Sequence, residues 1–272
     1  MRKIGGIAMI LIAVCFLALI VKAIVQLPES EQQLRDAVFV EDGVIHPENE
    51  GKRVIVFGEP VGEENARDDE LSLTLPGAVA VRYVEAFAVH GVGEDREKDW
   101  TPLTETSTDW LKQRRLYGRV RLGEFEVDNE LLLSFPAGRE LTLQQLDADE
   151  VKALEAHVET VEAMGVLYFS EAPLSCFSGG SANDFDLDYE GYRRVHYRYM
   201  ELKPGETCAV VGLQQGNRLV KDPDLGGNAY YENARSQEDV VHKSSMSTIL
   251  GMVIVGIICL ALIALGVIWI IR

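Results

Sequence analysis

Hydrophobic and polar positions divide this chain into three parts. From Ile4 to Val21 every residue is apolar or glycine, with Arg2 and Lys3 in front and Lys22, Ala23, Ile24 and Val25 behind. At about 1.5 Å per residue the run is about 27 Å long, close to the hydrocarbon thickness of a bilayer, and Lys22 can reach the interface along its aliphatic stem. A second uncharged run, residues 249–271, contains Trp269 near its end and is followed by Arg272. It is long enough to span. A cleaved signal sequence is the rival for the first run, but the apolar stretch exceeds the usual core of about 7–15 residues and Lys22 is poorly placed beside a cut, so an uncleaved anchor is expected. With Arg2 and Lys3 held in the cytosol by the positive-inside tendency, both termini are expected there and the middle of the chain outside it.

The middle reads mostly as strand. "KRVIVFG" is a β-branched and aromatic run closed by Gly58 and Pro60, and in "LSLTLPG" Leu71, Leu73 and Leu75 alternate with hydroxyl residues. "AVAVRYVEAFAV", a Gly- and charge-rich turn, and "WTPLTETSTDW" predict a long hairpin with Tyr83, Phe87, Trp100 and Trp110 available for cross-strand packing. "VRLGEFEVDNELLLSFPAG" predicts a strand and turn, and "GVLYFSEAP", "GYRRVHYRYMEL" and "ETCAVVGLQQGNRLV" return to strand character.

One stretch changes period. In "LDADEVKALEAHVETVEAMG", Asp147 precedes Glu150 by three residues as in a capping box, and Val151, Leu154, Val158 and Val161 follow at helical spacing up to Gly165. The expected organisation is therefore a membrane helix over residues 1–27, a β-rich ectodomain over 28–146 and 166–243, an amphipathic helix at 147–165, and a second membrane helix over 246–272. The class is an α+β membrane protein whose ectodomain is mainly antiparallel, built of small sheets or barrel-like subdomains. "GKRVIVFG" and "CAVVGLQQG" are each placed to open such a subdomain.

Charge refines this picture. The chain has 26 Lys+Arg against 43 Asp+Glu, a net charge of −17, and four of the basic residues, Arg2, Lys3, Lys22 and Arg272, belong to the apolar ends. The middle is thus strongly acidic, which argues against nucleic acid and anionic headgroups as ligands and favours cations or basic partners.

Motifs for chemistry are sparse. Glu50-Gly51-Lys52 is followed by Arg53 and has no upstream glycine at phosphate-loop spacing, so it is expected to be the turn before a strand. The histidines His46, His90, His157, His196 and His242 are scattered, and none pairs with another at zinc-helix spacing. His157 is expected as a boundary residue of the helix. "SCFSGG" lacks a nucleophile elbow, and nothing local lowers the pKa of Cys176 toward a thiolate served by His196. No enzyme and no cofactor are expected. The alternating carboxylates Asp184, Asp186 and Asp188 fall on one face of a strand, as a weak calcium site or a solvated acidic edge, and Gly191 is misplaced for an EF-hand loop. Cys176 and Cys208 are the cysteines outside the apolar runs; a disulfide between them and two buried thiols are both open. Small residues at Gly5, Gly6, Ala8, Ser247 and Gly251 offer close-approach surfaces on the two membrane helices.

Several of these stretches, in this order, resemble one family. Pro47, Asn49, Glu50, Gly51 and Lys52 leading into a strand that ends at Gly58 resemble the start of the soluble region in the LUMA family, also called transmembrane protein 43. "VRYVEAFAV", the hairpin that ends in Trp110, and the closing "VVGLQQGNRL" run with Gly212 and Gly216 resemble its later segments. Animal members carry several membrane passes after the soluble region, whereas one run stands here, and that departure points to a short bacterial relative in the plasma membrane. The resemblance implies a non-enzymatic membrane protein, linked in animals to scaffolding. The expected function is a structural or scaffold protein that self-associates or docks another membrane protein; the rival is an accessory or sensor subunit of a larger membrane assembly, responsive to a cation or basic partner. The bilayer is the expected partner of both apolar runs.

Overall fold

A computed structural model of the chain describes residues 2–90, 97–154, 158–161, 166–169, 193–225 and 228–271. In chain order the elements are α1 (Arg2–Arg35), β1 (Val38–Val40), β2 (Arg53–Gly58), β3 (Pro60–Glu64), β4 (Arg67–Asp68), β5 (Leu73–Thr74), β6 (Val79–His90) and β7 (Glu97–Pro102). They continue with β8 (Arg114–Tyr117), β9 (Arg119–Leu122), β10 (Phe125–Val127), α2 (Asn129–Leu132), β11 (Arg139–Glu140), α3 (Ala148–Leu154), β12 (Val158–Val161) and β13 (Val166–Phe169). Last come β14 (Arg193–Tyr199), β15 (Cys208–Gln215), β16 (Arg218–Val220), β17 (Tyr230–Glu232) and α4 (Gln237–Ile271). The class is α+β with mainly antiparallel pairing. The elements form two compact units, one of Met1–Gly58 with Thr207–Arg272, the other of Glu59–Glu206.

The terminal unit joins both long helices to a sheet. β15 pairs antiparallel with β2, from Cys208↔Gly58 to Leu213↔Arg53, and also with β16 and β17, while β1 pairs parallel to β2. The two strands expected to open separate subdomains are therefore neighbours in one sheet. Each is apolar along its centre because both of its faces are covered there, and Val54, Ile55, Val56, Ala209, Val210 and Val211 are fully buried. On this sheet sit Leu34 and Ala37 at the end of α1 and Val240 and Val241 at the start of α4, in one core with Ile55, Val211 and Tyr231.

Both helices outrun their apolar stretches. α1 has 34 residues and α4 has 35, so each is about 50 Å long at about 1.5 Å per residue, well beyond a hydrocarbon core of about 30 Å. The expectation of helices over 1–27 and 246–272 is corrected at their inner ends. α1 runs on through Pro28, and α4 begins at Gln237, nine residues before 246, because Ser236 caps it: the Ser236 Oγ accepts from Asp239 N–H at 3.1 Å, and Asp239 reaches back to Arg235 N–H at 2.8 Å.

The other unit is built around β6. It pairs with β14 from Ala80↔Tyr199 to Ala86↔Arg193, with β7 along its second half and with β8 along its first. The expected hairpin of β6 and β7 is present but ends at Pro102 and does not reach Trp110; within it Phe87 lies opposite Trp100 with ring centroids 5.4 Å apart, edge to face. β13 and β12 extend the sheet beyond β14, and β9 pairs with β10 and with β3. Leu71, Leu73 and Leu75 are all buried as their alternation predicts, although only Leu73–Thr74 forms a ladder. They cover the inner face of β6 and β14 with Ala80, Val84, Val195, Tyr197 and Tyr199.

The amphipathic helix at 147–165 is corrected. α3 covers Ala148–Leu154, and Val158–Val161 is strand, paired antiparallel with β13 from Val158↔Phe169 to Val161↔Val166. Two valines and a threonine in "VETV" favour a strand once a neighbour is present, and pairing with β13 overrides helical spacing. The capping box is half formed. Asp147 accepts from Asp149 N–H at 2.9 Å and Glu150 N–H at 3.1 Å, while Glu150 turns to Thr74, accepting from its N–H at 2.7 Å and its hydroxyl at 2.8 Å.

Candidate functional site

Pro47, Asn49, Glu50, Gly51 and Lys52 start β2, and Gly212 and Gly216 lie at the far end of β15, yet the structure brings them to one corner. Pro47–Asn49 is a single 3-10 turn, and Gly51 follows with φ +71°, a conformation that only glycine adopts freely. Gly51 N–H donates to Gln214 O at 2.8 Å and Gln214 N–H to Lys52 O at 3.1 Å. Gln214, buried, sends its side-chain N–H to His46 O at 2.8 Å, and Glu50 accepts from Gly216 N–H at 2.9 Å, where Gly216 turns the β15–β16 hairpin at φ +59°. The N–H groups of Asn49, Glu50, Gly51 and Lys52 donate to His46 O, Pro47 O, Gln214 O and Asn49 O, so the turn presents none of these four to a phosphate. Gly51 is the turn that starts a strand. Gly58 stands at the other end of β2 opposite Cys208, and Trp110 belongs to the other unit, on a loop with 59 % of its surface exposed.

The second feature is the seam between α1 and α4. A Cβ on Gly6 would stand 2.6 Å from Gly266 O, and one on Gly266 2.7 Å from Gly6 O, so the helices cross there at backbone contact. Gly5 faces Trp269, whereas Gly251 has nothing within 4 Å and takes no part in this seam. At the sheet end Arg35 Nη1 donates to Glu238 at 2.6 Å, and the side-chain amide of Gln237 donates to Leu34 O, Arg35 O and Ala37 O at 2.8, 2.9 and 2.9 Å. Leu34 O and Arg35 O are orphan carbonyls of the α1 C-terminus and Ala37 O lies just past it, and the two amide protons of Gln237 are shared among the three. Arg53 adds a bond to Gln33 O at 3.3 Å while holding the buried Asp222 at 2.5 Å.

The third is a buried charge network in the other unit. Arg82, wholly enclosed on β6, donates through Nη1 to both carboxylate oxygens of Asp68 at 2.7 and 2.8 Å, through Nε to Lys112 O at 3.0 Å, and through Nη2 to Glu70. Tyr197 OH donates to Asp68 at 2.7 Å, and Arg114 reaches Glu70 at 2.8 Å from the surface. Burial alone would lower the Arg82 pKa, but Asp68 and Glu70 hold it above its ordinary value; burial, then Asp68, push the Tyr197 phenol far up. Half of this network has a local signal, a lone arginine inside the apolar run of β6. Asp68 has none, being one acid among many in "EENARDDE".

Beside Glu150 is an open cleft of about 470 Å³ with Asn65, Thr74, Gln145, Asp147 and Glu150 on its walls. His196 stacks on Tyr83 at 5.0 Å, and burial, resisted by Glu85 and assisted by Arg194 and Arg198, lowers its pKa. Cys208 is buried on β15, where burial and then Glu232 push its thiol up to about 12. Cys176, the other cysteine of the open disulfide question, and the carboxylates Asp184, Asp186 and Asp188 lie outside the described residues, as do His157 and Gly165.

These features define an α+β protein whose two ends are helices long and apolar enough to cross a membrane, packed on each other and rooted in one core with a β-sheet. A model of the family described as Transmembrane protein 43 matches residues 105–272, more than half of the chain, and the chain belongs to that family. The matched part holds Trp110, Gly212 and Gly216 and all of α4; the corner residues 47–52 precede it. No curated protein and no solved structure matches the chain.

Proposed function

We propose that the chain is a two-pass membrane-anchored scaffold, without catalytic chemistry, that presents its acidic β-rich middle on the non-cytoplasmic side for self-association or for docking another membrane protein. The observation that carries the reading is the register of α1 against α4. With Gly6 against Gly266 at one end and Arg35 against Glu238 at the other, the helices pass each other almost residue for residue. The apolar run of α1, which ends at Val25, is then level with that of α4, which begins at Ile249. Two apolar belts of equal height on one hairpin fit a single bilayer, with the polar ends of both helices standing in water on the same side. Exposure agrees: Leu11, Leu19, Val25, Leu250, Ile257 and Leu260 each leave more than half their surface uncovered.

Support for a scaffold comes from the common core of hairpin and sheet. A load or a partner on the sheet acts on the membrane helices through Leu34, Ile55, Val211 and Val240 rather than through a linker. Purification of the full chain in mild detergent, followed by particle imaging and mass measurement, tests this. A defined homo-oligomer or a stoichiometric membrane partner is expected; a solitary monomer under all conditions overturns it. Protease protection in intact cells that sheltered the sheet unit in the cytosol would overturn the topology.

A further inference from the structure

We infer that the helix pair carries a hinge at the level of the lipid–water boundary, about which its sheet-bearing end tilts as one body against its apolar end. The inference rests on the membrane-spanning reading above. Its first element is Pro28, inside α1. Proline has no N–H for the carbonyl of Ile24 and its ring crowds that carbonyl, so α1 is weakest in the turn where its apolar run stops.

The second element is in α4, where "SSMST", residues 244–248, precedes the apolar run. Thr248 Oγ1 donates to Ser244 O at 3.0 Å, and Ser245 Oγ lies 2.9 Å from Val241 O. Hydroxyls bonded back to the carbonyl one turn earlier compete with the helical ladder and bend the helix. Neither feature would matter if the two weak turns were at different heights, because each would be splinted by a sound helix beside it.

They are at the same height. Ser245 Oγ is also 2.5 Å from Glu31 Oε1, and Glu31 is one turn past Pro28. The single hydroxyl proton of Ser245 is shared between an acceptor on its own helix and one on the other, so straightening or bending α4 trades one bond for the other. On either side the pair is fixed. Toward the sheet, the Gln237 bonds, Arg35–Glu238 and the shared core hold both helices to β2 and β15. In the apolar half, the crossing at Gly6 and Gly266 holds them to each other. A bend is thereby confined to one level and must occur in both helices together.

Hydrogen exchange on the full chain in phosphatidylcholine nanodiscs tests this. Pro28→Ala restores the α1 ladder, and Thr248→Ala removes the back-bond to Ser244 O while leaving Ser245 and its Glu31 contact in place. The expected result is crossed: each variant slows amide exchange about tenfold in its own helix near the boundary and also in residues of the other helix at that level. Slowing confined to the substituted helix, or none, overturns the hinge. Flotation of the same chain with phosphatidylcholine vesicles reports on the membrane reading separately. A chain that floats but exchanges without crossing overturns the hinge alone, and one that does not float overturns both.

Discussion

Arg82 on β6 and Asp68 on β4 meet through a forked contact, 2.7 and 2.8 Å, with both side chains closed off from solvent. The pair anchors the stretch that carries Leu71, Leu73 and Leu75 onto the inner face of the sheet, so one ion pair fixes where a whole layer of the core lies. Breaking such a pair strands the surviving charge in a low-dielectric interior. Arg82→Met is expected to cost about 3–5 kcal/mol of stability, and Tyr197→Phe, which removes one hydrogen bond to Asp68, about 1–3 kcal/mol. Arg114→Ala, at the exposed end of the network, is expected to cost under about 1 kcal/mol. Denaturant unfolding followed by tryptophan fluorescence ranks the three; equal losses would show that the buried pair has no special weight.

The corner formed by Glu50, Gly51, Gln214 and Gly216 carries a second prediction. Alanine at Gly51 or Gly216 forces a side chain into the left-handed region, at a cost of about 1 kcal/mol each. Gly138, which has open space around it and no positive φ, accepts alanine without loss. Glu50→Ala leaves Gly216 N–H without its acceptor and is expected to loosen the β15–β16 turn, which faster amide exchange at Gly216 would report.

Across the helix seam the glycines are not equivalent. Gly6→Val or Gly266→Val drives a side chain into the opposite backbone and should separate the helices, whereas Gly251→Val meets nothing within 4 Å and should leave them paired. A cross-link or energy-transfer pair on the two helices distinguishes these outcomes. Separation by Gly251→Val alone would mean that the helices pair through another face.

His196 supplies a pH prediction with a definite sign. Its folded pKa is below the ordinary 6.5, chiefly through burial against Tyr83, so the folded state prefers the neutral ring. Its contribution is fully present above about pH 6.5 and is lost as the pH falls through that value toward the lowered one. His196→Phe keeps a ring on Tyr83 and should flatten this part of the stability profile. Melting midpoints measured for both chains between pH 5 and 8 provide the comparison, and parallel profiles would reject it.

Much of the fold could be read from local pattern. The apolar runs at the two ends, the alternation of Leu71, Leu73 and Leu75, the β6–β7 hairpin and the glycine turns at Gly51 and Gly216 each depend on residues close in sequence, where side-chain period and backbone freedom act directly. "VETV" escaped because its spacing satisfies a helix, and only β13 alongside makes it a strand. The inner ends of both long helices escaped as well. The Ser236 and Asp239 cap is written in "SQED" but stands outside the apolar run that marks the helix, and Pro28 reads as a stop until α4 supplies Glu31, Leu34 and Arg35 with partners.

Two ends long and apolar enough to cross a membrane and an acidic, sheet-forming middle are legible in the chain without its fold, because hydropathy and alternation are properties of single stretches. Tertiary structure alone decided that both ends belong to one unit with β2 and β15, that Arg82 has Asp68 for a partner, and that Pro28 and Ser245 stand at one height. Each of those depends on residues far apart in the chain, between which no local period carries information, and their meeting is set by how apolar faces are covered and buried charges are paired.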